Sequence, residues 1–389
     1  MALPGVSRRP LVPSTSRGSG SFRSAARQSP RPFRPTPVTA SAPHATPPDY
    51  LPLQRWLMAC IVAVFLAVVV GGITRLTESG LSITEWKPVS GVLPPLSAAE
   101  WATAFESFQR IPQAETTHKG ITLEGFKLIY WWEWFHRILA RSVGLVFAIP
   151  FIVLLARGGI PERLHMRLTV LPLLTLAQGA LGWYMVQSGL AERTSVSAYR
   201  LTAHLALALA ILVVALWTLA DLRPVAREAR PSARWRWAMG VVVVLLIVTL
   251  LSGGFVAGLR AGRIYNTFPL MGGSLVPMGY GQLAPWWRDA FENPAAAQFH
   301  HRLLAIGTGL LALLLALGAR AAVLGAEAAR AVRLMGAIVL AQVTLGIVTL
   351  LFAVPIALGV AHQFTGVLAL SAGVLALHRV LGASGSASR

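Results

Sequence analysis

Two short stretches place ionisable residues inside apolar and aromatic sequence. The first, YWWEWFHRIL, begins at Tyr130 and has a glutamate three residues before a histidine-arginine pair. The second, QFHHRLL, repeats the pair with a glutamine in place of the glutamate. In apolar surroundings an ionisable side chain is costly and generally functional. The two stretches therefore predict two related sites that differ at one position, Glu133 in the first and Gln298 in the second.

Histidines recur in this setting along the chain. Each even-numbered apolar segment has one near its start, and the set is His136, His204, His301 and His362. If the even-numbered segments enter a membrane from the same side, all four lie at similar depth in its outer leaflet. The alignment of HRIL with HRLL selects His301 and leaves His300 facing elsewhere on the helix. The other histidines, including His378, are expected to be solvated.

Two opposed histidines on facing helices are the arrangement that axial ligation of a haem iron requires. Each half of the chain supplies one such pair. Zinc is the main metal alternative, but it normally takes three or four ligands close together. Hydrogen-bonded structural histidines are the other alternative. The single cysteine, Cys60, excludes an intramolecular disulfide and a cysteine-based metal site.

Arginines accompany the histidines. Arg137 and Arg302 follow two of them directly, and Arg75 lies in GGITRLTESG. Near the outer interface these guanidinium groups suit the propionates of a haem. The alternative is that they snorkel to lipid headgroups.

Glu133 is the candidate catalytic residue. It precedes His136 by three residues and therefore lies on the same helical face. A partly desolvated carboxylate there is able to transfer a proton or stabilise positive charge that develops on a substrate. Alternatively, it orients a ligand or forms a salt bridge with Arg137. Gln298 is isosteric with glutamate but has neither capacity. The first site is therefore predicted to be catalytic and the second only to bind its ligand.

The elements that position these residues are predicted to be membrane-spanning helices. The chain has 389 residues, of which 55% are hydrophobic and 13% charged, a composition typical of a polytopic helical membrane protein. Eight apolar runs are long enough to span, at 56–73, 129–155, 167–187, 200–220, 236–258, 300–319, 331–353 and 356–377.

The net charge of +19 comes mainly from arginine, and its distribution indicates sidedness rather than nucleic-acid binding. Loops such as DLRPVAREARPSARWR carry more arginine than acid, whereas residues 76–128 have six Glu against four Lys plus Arg. The positive-inside rule then predicts both termini on the cytoplasmic side.

The chain divides into a tail and two similar halves. Residues 1–50 are rich in Ser, Pro and Arg and are expected to be disordered; a mitochondrial transit peptide is the alternative. Residues 51–222 and 223–389 each contain four predicted helices. LAQGALGWY in the third is repeated as LAQVTLGIV in the seventh, and the first and fifth both end in Gly-Gly. We therefore predict two tandem, pseudo-symmetric four-helix bundles in an all-α polytopic membrane protein.

From about residue 55 to 380 the sequence resembles the haem A synthase family, in the branch shared by mitochondria and alpha-type proteobacteria. The matching segments are GGITRLTESGLSITEWKPVSGVLPPL, FKLIYWWEWFHR, LTAHLALAL, NTFPLM, QFHHRLLA and AHQFTGVLAL. The tail lies outside the resemblance. The single Cys60 agrees with this branch, which lacks the paired outer-loop cysteines of the other bacterial branch.

The resemblance implies oxidation of the C8 methyl of haem O to a formyl group, which yields haem A for terminal oxidases. It implies that His136 and His204 hold the substrate haem beside a catalytic Glu133, and that His301 and His362 ligate a haem b that carries electrons. The expected partners are the lipid bilayer, a haem O synthase and a ferredoxin-type donor, with a homo-oligomer possible.

Two other classes of function remain open from the residues alone. A di-haem b-type cytochrome that only transfers electrons explains the four histidines equally well, but not the glutamate in one half. A solute transporter is suggested by the repeats and the Gly-rich helices. The excess of arginine over lysine favours a bacterial inner membrane over the mitochondrial one.

Overall fold

The eight apolar segments form eight long helices in the computed structural model, which describes residues 50–87, 90–191, 195–223 and 231–382. All are long and apolar enough to cross a membrane. The class predicted from the sequence, an all-α multi-pass membrane protein, is confirmed. We number them α1 to α8: Leu51–Leu76, Leu123–Ala156, His165–Ala191, Ala198–Asp221, Ala233–Gly258, Pro294–Gly318, Ala326–Leu351 and Ile356–Leu381.

Several helices begin five or six residues before the predicted spans. α2 begins at Leu123, after Thr122, whose hydroxyl accepts a hydrogen bond from Gly125 N at 3.2 Å. α6 begins at Pro294, after Asn293, whose Oδ1 accepts from Ala295 N at 2.9 Å. Side-chain caps stabilise the first turn of a helix, and in both helices the first six residues are less hydrophobic than the run that hydropathy detects.

The helices pack in two cyclic sets. Within residues 51–222, α1 packs against α2, α2 against α3, α3 against α4, and α4 back against α1. The helices α5 to α8 follow the same order. The two sets meet where α1 packs on α8 and where α4 packs on both α5 and α8. A continuous apolar core runs through both sets, and the boundary near residue 222 stays a prediction.

The position of each helix in this arrangement decides which faces meet lipid. α4 and α8 are the most buried of the eight, and α2 and α3 are among the least buried. The exposed faces carry large apolar side chains such as Ile152, Leu176 and Leu314. An apolar outer surface suits a hydrocarbon environment, so the peripheral helices are exposed as a bilayer requires.

Residues 77–122 join α1 to α2, and residues 259–293 join α5 to α6; we call them the outer segments, after the side that the charge distribution predicts. The two outer segments differ. The first contains two short helices, Ala98–Gln109 and Pro112–Thr116, and the second contains one, Trp286–Glu292. In the first half, Trp101 and Phe108 of the short helix pack edge-on or tilted against Phe126 of α2, with ring centroids 6.4 and 5.1 Å apart. This aromatic cluster supports the first turns of α2. The predicted tail lies outside the described residues, apart from Tyr50.

Candidate functional site

The structure places the four predicted histidines on four helices and brings them together in pairs. His136 on α2 and His204 on α4 lie close enough to interact electrostatically. His301 on α6 and His362 on α8 have ring centroids 6.5 Å apart and ring planes at 90°. All four residues are half-buried. Each set of four helices therefore contributes one pair of histidines.

The separation of the second pair fits a shared metal. A metal held by both rings would take up about 4 Å of the 6.5 Å between the ring centroids, since a metal–imidazole bond is about 2 Å long. Among the described residues, no three or more His, Cys, Asp or Glu side chains form a cluster that could hold a metal ion. The donor set is thus two imidazoles, which is what a haem iron needs.

One of the four rings has a defined hydrogen-bond partner at its second nitrogen. His301 Nδ1 lies 2.8 Å from Ser252 Oγ, and Ser252 Oγ donates to Thr249 O at 2.7 Å. In the other three residues, Nδ1 is buried and has no partner: His136, His204 and His362.

Each ring also rests against a glycine of the preceding helix, a feature that the sequence reasoning missed. A Cβ at Gly71, Gly182 or Gly253 would lie 3.1, 3.2 or 3.2 Å from the nearest ring atom, and at Gly346 it would lie 2.6 Å away. A larger residue at these positions would displace the imidazole. The pairs are Gly71 with His136, Gly182 with His204, Gly253 with His301 and Gly346 with His362.

The signal for these contacts was present in the repeats. Gly71 and Gly253 begin the Gly-Gly pairs of α1 and α5, and Gly182 and Gly346 end the segments QGALG and QVTLG. The glutamines of those segments contact the same histidines. Gln178 Nε2 donates to His204 O at 3.0 Å, and Gln342 Nε2 lies 3.5 Å from His362 Nε2.

Glu133 is buried, with 3% of its surface exposed. Its Oε1 accepts a hydrogen bond from Arg137 Nε at 2.6 Å, so the predicted alternative of a salt bridge is present. Arg137 also donates to Glu85 O at 2.9 Å and Ile83 O at 2.8 Å. Among the described residues, no donor is paired with the second oxygen, Oε2. One carboxylate oxygen is thus fixed and the other keeps its lone pairs.

Gln298 occupies the matching position in α6 but has its hydrogen bonds satisfied. Its Nε2 donates to Ala261 O at 2.9 Å and Tyr265 O at 3.3 Å, and its Oε1 accepts from Arg302 at 3.3 Å. Arg302 donates to Tyr265 O at 2.7 Å and Thr267 O at 2.8 Å. The amide therefore ties α6 to the outer segment of its half, as a structural residue does.

The arginines predicted for haem propionates contact the backbone. Arg137 and Arg302 bind carbonyls of the outer segments, as described above, and Arg75 donates to Ala257 O at 2.6 Å and Gly258 O at 3.3 Å. Arg75 thereby joins the ends of α1 and α5. His300 bonds to the Tyr280 hydroxyl at 3.0 Å, away from the His301 ring contacts. A propionate role for the arginines stays a prediction.

His378 contradicts the expectation of a solvated residue. It is buried near the end of α8, its Nε2 lies 2.7 Å from Asp221 Oδ1, and its ring packs edge-on against Trp217 with a centroid distance of 5.1 Å. The expectation was wrong because α8 is the most buried helix to its end, a property that its hydropathy does not reveal.

The fold and these sites define a multi-pass helical membrane protein with paired histidines inside its helix sets. The chain belongs to the COX15-CtaA family of cytochrome oxidase assembly proteins, whose sequence model matches residues 54–374.

Individual relatives are similar over most of their length. A protein of Azorhizobium caulinodans named "Heme A synthase" is 48% identical over 341 residues, which cover 87% of this chain and 95% of the relative. Proteins of the same name from Bradyrhizobium diazoefficiens and Nitrosospira multiformis are 45% and 43% identical, and the matches cover 88% and 85% of this chain and 94% and 93% of the relatives.

Proposed function

We propose that this protein is a haem A synthase, which oxidises the C8 methyl of haem O to a formyl group and so supplies haem A to terminal oxidases. The observation that carries the proposal is that Glu133 is buried in the first half and that a glutamine, Gln298, is buried at the corresponding position of the second half. The names and coverage of the relatives support the same activity.

The two pairs of histidines have different roles in this proposal. His136 and His204 hold haem O as substrate, and His301 and His362 hold a haem b. Bound there, a haem b would pass electrons from an external donor to the monooxygenation, in which dioxygen is the oxidant. The glycine behind each ring sets how far the imidazole projects from its helix, so both sites depend on close contact between successive helices.

Glu133 is the residue that acts on the substrate. Arg137 fixes one carboxylate oxygen at 2.6 Å, which orients the group without engaging Oε2. As dioxygen oxidises the methyl carbon, that carboxylate oxygen would stabilise positive charge that develops on the carbon, or accept the proton that the oxidised carbon releases. A preorganised carboxylate in a site that excludes water is much more effective than one in solution.

The three arginines donate hydrogen bonds to backbone carbonyls near the two sites. For Arg137, the contacts to Glu133, Glu85 and Ile83 account for three of the five N–H donors of a guanidinium group. We propose that the remaining donors of Arg137, Arg302 and Arg75 bind haem propionates, because bidentate guanidinium–carboxylate pairs are strong where water is scarce.

The architecture fits two tandem units, residues 51–222 and 223–389, related by pseudo-symmetry. Glu78 and Arg260 each follow the first glycine of their Gly-Gly pair by seven residues. Both have left-handed backbone conformations, with φ of 56° and 54°. They form an ion pair with each other at 2.6 Å. Matching positions that share a backbone conformation and pair across the halves support a duplicated unit.

We place the protein in the bacterial inner membrane with both termini cytoplasmic, since arginine-rich loops favour that side. The proposed partners are a haem O synthase, a ferredoxin-type electron donor and a second copy of the chain.

Haem extraction tests the activity. The protein is expressed in a host that makes haem O but has no haem A synthase of its own, and the extracted haems are separated by chromatography. A haem bearing a formyl group is the expected product. Bound haem with no conversion would favour the electron-transfer cytochrome, and purified protein without haem would favour a transporter.

A further inference from the structure

The residue before the Gly-Gly pair differs between the two halves. In α5 it is Ser252, and in α1 it is Val70. The following glycines, Gly253 and Gly71, support His301 and His136 at nearly equal distances. The two glycine contacts are therefore alike, and the residue before them is a hydroxyl-bearing serine in α5 and a branched alkyl valine in α1.

The contacts of Ser252 favour one tautomer of His301. A serine has one O–H donor, and Ser252 directs it to Thr249 O at 2.7 Å. With the hydroxyl donated to that carbonyl, the Ser252 oxygen is the acceptor in the contact with His301 Nδ1 at 2.8 Å. In that arrangement Nδ1 carries the proton, and Nε2 has a lone pair for a metal.

Among the described residues, no other histidine of the set has such an anchor, a hydroxyl group bonded to Nδ1. Nδ1 of His136, His204 and His362 is buried and unpartnered. Metal-binding histidines generally donate their second N–H to a neighbour, which fixes the ring and raises its basicity as a ligand. A more basic axial ligand stabilises ferric over ferrous iron, so the anchor lowers the reduction potential.

We propose that Ser252 is a positioning residue, which fixes the tautomer and orientation of His301 and lowers the reduction potential of the haem in the second half. This inference rests on the haem b site of the proposed function. It adds a second difference between the halves, because the half with the buried carboxylate has no anchored ligand and the half with the buried amide has one.

The test measures the reduction potential of the full-length protein, purified from a host that makes haem b but no haem O. Ser252→Val reproduces the residue of the first half. We expect it to retain haem and to shift the ferric–ferrous equilibrium about tenfold toward ferrous iron, the lower end of measured outer-shell effects. That shift corresponds to about 59 mV for one electron. The low-spin ferric EPR signal should change with it.

Ser252→Thr and Val70→Ser are the matched variants. The threonine side chain keeps a hydroxyl that can bond a backbone carbonyl one turn earlier. Ser252→Thr should therefore have the reduction potential of the wild type. Val70→Ser should leave the second-half haem unchanged. A Ser252→Val protein with the wild-type potential and EPR signal would overturn the assignment. If that variant loses its haem, Ser252→Ala replaces it, and equal potentials for the alanine and threonine variants would overturn the assignment as well.

The outcomes separate this inference from the proposed function. A wild-type protein that leaves haem O unconverted, with the potential shift present in Ser252→Val, would contradict the proposed function and support the role of Ser252. Wild-type protein that binds no haem would overturn both.

Discussion

The first and second halves place the same kinds of residue around their histidines and differ where chemistry is concerned. In the first half, the side chain three residues before the histidine is a carboxylate with one oxygen fixed by Arg137. In the second, it is an amide whose nitrogen and oxygen are both bonded. In the proposed function, two similar sets of helices thus hold similar ligands while only one half keeps a reactive group. The residues that build the framework are shared, and the residues that act differ.

The outer segments repeat this contrast. The first half covers its site with two short helices and a cluster of aromatic rings that pack against the start of α2. The second half uses one short helix, in which Asp289 accepts hydrogen bonds from Gly281 N at 2.8 Å and Leu283 N at 3.2 Å. The contacts of the first segment are thus mainly packing between apolar and aromatic side chains, and those of the second include backbone N–H groups bonded to the Asp289 carboxylate.

The largest expected effect is on haem A formation, when Glu133 is replaced by the glutamine that the second half has. Glu133→Gln should retain bound haem and lower haem A formation by about 10²–10⁴-fold, the usual contribution of a positioned acid or base. Haem A is quantified by chromatography of extracted haems. Glu124→Gln is the matched control, because Glu124 lies on the same helix but is 80% exposed and pairs with Lys127. Full activity in Glu133→Gln would remove the functional distinction between the halves.

The next effect concerns the glycines that both halves share. In Gly346→Ala, the new Cβ would lie 2.6 Å from His362 Cε1, so the ring must move. Overpacking of this kind costs about 1–3 kcal/mol, and a loss of about 1.4 kcal/mol lowers affinity tenfold. The haem content per protein should fall.

The control for the glycine substitution is Gly179→Ala in α3, where no atom lies within 4 Å of the added Cβ. It should bind haem as the wild type does. Gly71→Ala, with a contact of 3.1 Å to His136, should show a smaller loss than Gly346→Ala. Unchanged haem content in Gly346→Ala would show that the glycine contact does not position His362.

A third change introduces the carboxylate into the second half. In Gln298→Glu, the N–H donors that bond to Ala261 O and Tyr265 O are lost. A carboxylate oxygen, which only accepts, then lies next to these two carbonyl oxygens. A buried unsatisfied group costs about 1–3 kcal/mol, so the variant should unfold at lower temperature without gaining activity. Thermal unfolding of purified protein measures this, with Gln109→Glu on the exposed outer helix as the control. Unaltered stability would mean that Gln298 is not the structural residue that its contacts indicate.

The smallest expected effect concerns the ion pair between the halves. The Arg260 side chain is 39% exposed, and ion pairs at such positions contribute about 0–1 kcal/mol. A double-mutant cycle with Glu78→Gln and Arg260→Gln should therefore give a coupling energy below about 1 kcal/mol. A much larger value would mean that the halves depend on this pair rather than on the packing of α1, α4, α5 and α8.

Part of this structure was predictable from the sequence. The eight helices follow from apolar runs of membrane-spanning length, and the grouping of the histidines follows from their recurrence in every second run. Several helices begin before the predicted spans, since Thr122 and Asn293 cap first turns that are less hydrophobic than the runs that follow. The burial of His378 was missed for a related reason, because hydropathy does not report which of eight apolar helices lies at the centre.

By itself, the sequence determined the class of the protein, the four histidines and the exchange of Glu133 for Gln298. These are properties of composition, spacing and residue type. Only the tertiary structure decided which glycine lies behind each ring, which hydroxyl bonds to His301, and which carbonyls engage the arginines. Those contacts depend on the rotation and close approach of helices far apart in the chain, and an apolar segment can face its neighbours in many rotations with nearly the same hydropathy.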